Sequence, residues 1–212
     1  MVVKSAEEDP LERGIDAIVV PGLNKNGILL QWHPVVDNDL IEYLVYRKAN
    51  DSTGSQFPLL ATVGEKFEQI DTFFVDSTAQ ENVRYYYYVI AHDEADQFGE
   101  RSRKDDYKLI KMSAPNSPSP TDTTFSGIFK WTFPVTIPAD FIFRLEVDFA
   151  GNFRPFKIKT HSTTNYSREQ SWSLSDLGID PLPPGVYRWR IDNIGGDSRS
   201  GSESDWLRFS VQ

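Results

Sequence analysis

Short segments that are apolar or alternate apolar with polar residues, most of them bounded by Gly, Pro, Asn, Asp or Ser, recur along this chain from Asp16 onward. In the first half they read DAIVV, GILLQW, IEYLVYRK, PLLATV, FFVDS, RYYYYVIA and DYKLIK. In the second they read SGIFKW, FIFRLEVDF, PFKIKT, QSWSLS, GVYRWRID and WLRFSV. No window beyond about ten residues repeats apolar positions at the three-and-four spacing of a helix. A side-chain period of two, broken by turns, predicts an all-β chain of short antiparallel strands.

The rhythm runs twice. Trp32 closes the second strand of the first half and Trp131 the second strand of the other, 99 positions later; Tyr85 and Tyr187 open the sixth strands, 102 positions apart. The 212 residues are enough for two domains of about 100, each able to bury a core. Seven strands per hundred residues predicts two tandem immunoglobulin-like antiparallel sandwiches. The expected boundaries are a patternless acidic tail over 1–13, a first domain over 14–111 and a more divergent second over 112–212. The Pro-rich stretch APNSPSP, residues 114–120, opens the second as an edge strand, where proline is tolerated and stiffens the junction. Trp32, Tyr85, Trp131, Tyr187 and Trp189 are the expected core residues.

Trp32, the run YLVYR, the acidic FVD, then YYYYVIA and a glycine-bearing loop ending in GERS together resemble a bacterial fibronectin type III domain. FKW, LPPGVYRWRI and SDWLRFSV resemble a divergent member of the same superfamily, so that the likeness covers about residues 14 to 212. It implies that Tyr85 and Tyr187 are corner residues whose hydroxyls bond backbone just upstream. It also implies a leucine in the turn before each. Leu182 fits, whereas the first copy has STAQEN there, which predicts a different turn. The fold implies little about activity, since this sandwich hosts many unrelated functions.

Charge and composition remove some functions. With 22 basic against 31 acidic residues the net charge is −9, which disfavours nucleic acid and anionic lipid as partners. Without cysteine there is no disulfide framework, thiol catalysis or cysteine metal site. No apolar run approaches the roughly 20 residues of a bilayer span. Met1 is open to two readings, the native start of a cytoplasmic protein or a start placed after a removed export signal; the resemblance implies the second, an extracellular, surface or periplasmic module with membrane attachment only through a lipid anchor absent from these residues.

The four tyrosines set the one sharp expectation about a surface. Strand parity sends Tyr85, Tyr87, Val89 and Ala91 inward, and Tyr86, Tyr88 and Ile90 outward beside Leu44 and Tyr46. Leu44, Tyr46, Tyr86, Tyr88 and Ile90 are therefore a candidate binding face, near the size at which exposed apolar area signifies contact. Three roles stay open for it: β propensity with cross-strand packing, contact with the second domain or another copy, or a partner surface. The second copy puts Arg144, Glu146 and Asp148 outward against Arg188, Arg190 and Asp192, an expected solvated charge ladder.

Chemistry is sparse. His33, His92 and His161 lack metal-ligand spacing, and His33 and His92 read as edge residues. The acidic loop DEADQFGE, with Asp93 and Asp96, shares one end of the sandwich with Asp37 and Asp39, a weak calcium candidate without the alternating acids and central glycine of a dedicated cage. GGDSRSGSESD holds no nucleophile elbow, and no glycine-rich segment leads into a helix. Asn50-Asp51-Ser52 and Asn165-Tyr166-Ser167 match glycosylation sequons. Trp206, in SESDW, bears a faint likeness to the Trp-Ser motif of cytokine receptors and reads as a strand residue shielding the second core. The expectation is a non-enzymatic binding, adhesion or spacer module of a bacterial cell envelope without cofactor, the mature part of a lipoprotein, contacting protein. The alternative is a carbohydrate-binding accessory of a polysaccharide-degrading system, its aromatic face stacking on sugar rings.

Overall fold

The computed structural model describes residues 14–35, 39–50, 55–64, 72–134, 137–164, 167–197 and 199–212. The chain divides into two compact units, one formed by residues up to Ile18 with Gly27–Leu109, the other by Val19–Asn26 with Ile110–Gln212.

The first sandwich has two layers, and Val19–Asn26, the end of its first strand, the turn and the start of its second, are the residues grouped with the other unit. Strands β1 (Ile15–Val20), β2 (Lys25–Gln31) and β5 (Phe73–Asp76) form one sheet in the order β1-β2-β5. Strands β3 (Leu40–Ala49), β4 (Leu59–Gly64), β6 (Arg84–Asp93) and β7 (Asp105–Leu109) form the other, in the order β7-β6-β3-β4. Pairing is antiparallel, and Tyr85, Tyr87 and Val89 point into a core with Ile28, Leu30, Trp32, Tyr43 and Val45, as the period-two parity requires. Trp32 meets Tyr43 edge to face, with ring centroids 5.3 Å apart.

The second unit repeats the plan. Strands β8 (Ala114–Ser117), β9 (Ile128–Thr132) and β12 (Glu169–Ser173) make one sheet in the order β8-β9-β12. Facing them, β10 (Asp140–Phe149) lies between β11 (Asn152–Ser162) and β13 (Gly185–Ile194). β13 in turn pairs with both β14 (Ser200–Glu203) and β15 (Leu207–Val211). Trp131, Trp189, Phe129 and Phe143 are buried in one aromatic cluster, and the Trp189 indole donates to the Pro118 carbonyl at 2.9 Å.

The two corners differ. The Tyr187 hydroxyl donates to the Pro183 carbonyl at 2.9 Å, beside buried Leu182. Before it comes helix α1 (Leu174–Leu177), which ends the segment QSWSLS as a strand after Ser173. Ser173 caps the helix, its side chain and that of Asp176 bonding reciprocally, and Gly178 leaves it at φ 66°. The Tyr85 hydroxyl only accepts a long 3.4 Å bond from the Gln80 N–H, and Ala79 fills the turn. The anchor lies two residues further on, where the Tyr87 hydroxyl donates to Asp76 Oδ2 at 2.8 Å.

The outer faces correct two expectations. Leu44 and Tyr88 are 8% exposed, and Tyr46, Tyr86 and Ile90 are half-buried, so these five residues form no open apolar patch. Tyr46 stacks on Tyr88 at 4.8 Å, Phe57 packs against the same ring, and the Arg101 guanidinium and Lys104 ammonium lie over Tyr88 and Tyr86 at 5.1 and 5.4 Å. Cations laid on the rings complete the face from within its own domain. Leu44 sits in register between Thr62 and Ile90.

In the second unit half of the expected solvated ladder, Arg144, Arg190 and Asp192, is buried, while Glu146, Asp148 and Arg188 are half-buried. Arg144, Arg190, Asp192 and Glu203 are each less than a tenth exposed. Arg144 Nε bonds Asp192, Arg190 NH1 donates to Glu203 Oε2 at 2.7 Å, and Arg190 Nε lies 2.9 Å from Asp192 Oδ1 as an ion pair without hydrogen-bond geometry. Burial alone would lower the Arg190 pKa, but the Asp192 and Glu203 carboxylates outweigh it and raise it. Trp206 does not join the core cluster; it lies outside, with Arg188 and Arg190 over its ring at 4.4 and 4.8 Å. Arg188 also covers Phe153 at 4.3 Å, as does Arg208 at 5.1 Å.

Candidate functional site

A groove of about 660 Å³ opens at one end of the first sandwich. Its floor comes from the inward rows of three strands: Trp32 just after β2, Tyr43 on β3, and Val89 and Ala91 on β6. Trp32, Tyr43 and Val89 belong to the buried core and present only an edge to the groove, while Ala91 on the same inward row is partly exposed.

Hydrogen bonds fix its two rims. On one side the Val35 N–H donates to the Tyr43 hydroxyl at 2.7 Å, which sets the path of the chain after Trp32 and leaves Val35 48% exposed. On the other, the chain turns after Asp93, whose Oδ1 accepts the N–H groups of Ala95 and Gln97 at 2.9 and 2.8 Å. It then returns along β6: Phe98 bridges to His92, Gly99 N–H donates to the Ala91 carbonyl at 2.9 Å, and Ser102 N–H to that of Val89 at 2.8 Å. The Ser102 hydroxyl accepts the Val89 N–H and donates to the Arg103 carbonyl, a structural use of a groove hydroxyl.

Phe98 is 59% exposed and stacks on His92, with centroids 4.5 Å apart and planes 8° apart. His92 is held from both sides, Nδ1 by Glu42 Oε1 and Nε2 by Asp96 Oδ1, each at 2.9 Å. The Glu42 and Asp96 hydrogen bonds raise the His92 pKa above its ordinary value. An apolar floor, two exposed apolar rim residues and a charged margin that includes Glu100 and Arg103 suit the enclosure of a largely apolar ligand segment.

Of the sequence-predicted residues, Trp32 and Asp93 line this groove. Trp32 is shared by core and floor, while Leu44, Tyr46, Tyr86, Tyr88 and Ile90 lie outside it on the covered sheet face. Asp37 of the calcium candidate lies outside the described residues, as do Asp51 and Ser52 of one sequon and Asn165 and Tyr166 of the other. Asp93 uses one carboxylate oxygen on its own loop and Asp96 one on His92, and the Asp39 backbone carbonyl accepts the Glu94 N–H. Among the described residues no group of three or more His, Cys, Asp or Glu is placed to hold a metal ion. Sequence reasoning missed Val35, Phe98 and the role of His92. The available signal was a single aromatic, Phe98, inside an otherwise acidic loop.

No protein-family model and no curated protein matches the chain. Among solved structures it is similar to the FN1–FN3 domains of chicken CNTN1, at 14% identity and a TM-score of 0.37, covering 93% of this chain and 66% of that one. It is also similar to a two-domain fibronectin type III segment of chicken tenascin, at 10% identity and a TM-score of 0.30, covering 93% and 97%. Both are tandem fibronectin type III segments, whereas the architecture of this chain rests on its own strand order and register. The chain is an all-β tandem of two immunoglobulin-like antiparallel sandwiches.

Proposed function

We propose that this chain is a non-enzymatic binding module of a bacterial cell envelope, and that the groove of its first sandwich takes an extended apolar segment of a partner protein. One observation carries the reading: a preformed groove of about 660 Å³ whose floor is aromatic and whose rims keep Val35 and Phe98 exposed although each has a fixed backbone. That volume falls within the range of sites that enclose a small ligand or a few side chains. Ser102 and His92 of the groove are bonded to backbone and to carboxylates, which supports binding over catalysis at those two residues. The cell-envelope setting and the lipoprotein origin rest on the sequence resemblance.

A glycan is the second reading, favoured by the exposed Phe98 ring beside Gln97, Glu100 and Arg103, a flat apolar face with hydrogen-bonding neighbours. Selection of a displayed random-peptide library on the full chain, run beside a glycan array, separates the two. The protein reading expects enriched peptides with apolar anchors, at least tenfold weaker on a Phe98→Ser, Val35→Ser double variant that stays folded. Glycan retention lost on Phe98→Ser, with no peptide enrichment, transfers the groove to the second reading. Binding that ignores both substitutions removes the groove from either.

A further inference from the structure

Both ring nitrogens of His92 lie 2.9 Å from a carboxylate oxygen, Nδ1 from Glu42 on β3 and Nε2 from Asp96 in the turn after β6. A carboxylate only accepts hydrogen bonds, and a neutral imidazole carries one N–H. The two contacts are therefore satisfied together only by imidazolium; with the neutral ring, one nitrogen lone pair faces a negative oxygen. The third neighbour favours charge as well, since the Phe98 ring stacked on His92 attracts a cation over its face. Three partners from three segments, β3, the turn and the returning strand, thus favour the same protonation state.

We infer that His92 is a proton-operated clasp that fastens the Phe98 rim of the groove when charged and releases it when neutral. This rests on the reading of the groove as a binding site. Release begins at Asp96, whose side chain is 86% exposed, whereas that of Glu42 is 28% exposed and stays with the ring. The turn keeps its backbone bonds to Asp93 and so stays folded; what changes is the tie from ring to Asp96 and the seat of Phe98. The remaining charged groups near the ring leave this order intact. Asp93 is occupied by the Ala95 and Gln97 N–H groups, and His33, Glu100 and Arg103 line the groove without a hydrogen bond to the ring. The site would accordingly bind in mildly acidic surroundings and let go as the pH rises, a range histidine covers.

An NMR titration of the full chain over about pH 4 to 9, following the His33, His92 and His161 rings, the Phe98 ring and the Gln97 amide, tests this without a ligand. The expected result is a His92 midpoint above 6.5 shared by Phe98 and Gln97. Asp96→Asn should lower that midpoint and uncouple Phe98, and His92→Gln should flatten the profile of the turn. A His92 midpoint at or below 6.5, or Phe98 and Gln97 signals that do not follow it, overturns the clasp. If peptides are selected on the groove, their affinity should fall by at most about tenfold per pH unit above the midpoint, the limit for one linked proton. Absence of any selected peptide counts against the groove reading alone, because the ring titration still decides the clasp.

Discussion

Asp76 is 1% exposed, yet it carries the charge that the first sandwich is arranged around. Burial alone would raise its pKa, but donors from Thr78, Arg47 and Tyr87 outweigh it and hold the carboxyl below the ordinary value. The same desolvation, with the Asp76 charge next to it, pushes the Tyr87 phenol far up, so that it remains a donor. Asp76→Ala would leave the Tyr87 phenol and the Thr78 N–H without their acceptor and the Arg47 charge without its carboxylate, though Arg47 keeps the Thr78 hydroxyl. The expected loss, read from urea midpoints, is about 3 kcal/mol, at the low end for a broken buried pair because Arg47 keeps some contact with water. The sign of the pH effect follows from the lowered pKa. The stabilisation is present above the unfolded-state value near 3.8 and is lost as pH falls through the folded value. Asp76→Asn should remove that acid-dependent part; an unchanged acid-unfolding profile would deny Asp76 the role. The sequence placed FVD before the corner but not its purpose, because a hub of this kind is set by what the fold brings to the carboxylate across more than ten residues.

At the scale of elements, the last strand of the second unit is broken between β14 and β15, and Ser204 bridges the break. Its N–H donates to the Ile191 carbonyl and its hydroxyl accepts the Ile191 N–H, both at 3.0 Å. The side chain thus replaces one rung of the ladder, and the break frees Trp206 to lie flat under Arg188 and Arg190. Ser204→Ala should cost about 1 to 3 kcal/mol by orphaning a buried N–H, and Ser204→Gly about as much; a neutral result in thermal unfolding would contradict the rung. The corners give a paired test. Tyr187→Phe loses a 2.9 Å bond to Pro183 and should cost about 1 kcal/mol, while Tyr85→Phe, losing only a 3.4 Å contact, should cost clearly less. Strand parity told which tyrosines face the core, because period two is a local property. It could not tell that Tyr88 is covered or that Arg190 is buried. Both depend on side chains arriving from other segments, namely Arg101, Phe57 and Glu203.

For the molecule as a whole, two cores of related design were legible from Trp32, Trp131, Tyr85 and Tyr187, since recurrence of bulky residues at a fixed offset survives without any knowledge of loops. The candidate site was not, because a groove is formed by loop paths: by Val35 tied to Tyr43 and by Phe98 folded back on His92. That placement moves the expected contact from the tyrosine face to the sandwich end, and carries the functional account. Amide chemical-shift mapping of the full chain, with a peptide selected on it, tests this most directly. Perturbations confined to residues 32–35, 40–43 and 89–103 are expected; perturbations centred on Tyr46 and Tyr86, or on β11 of the second unit, would rule the groove out as the contact.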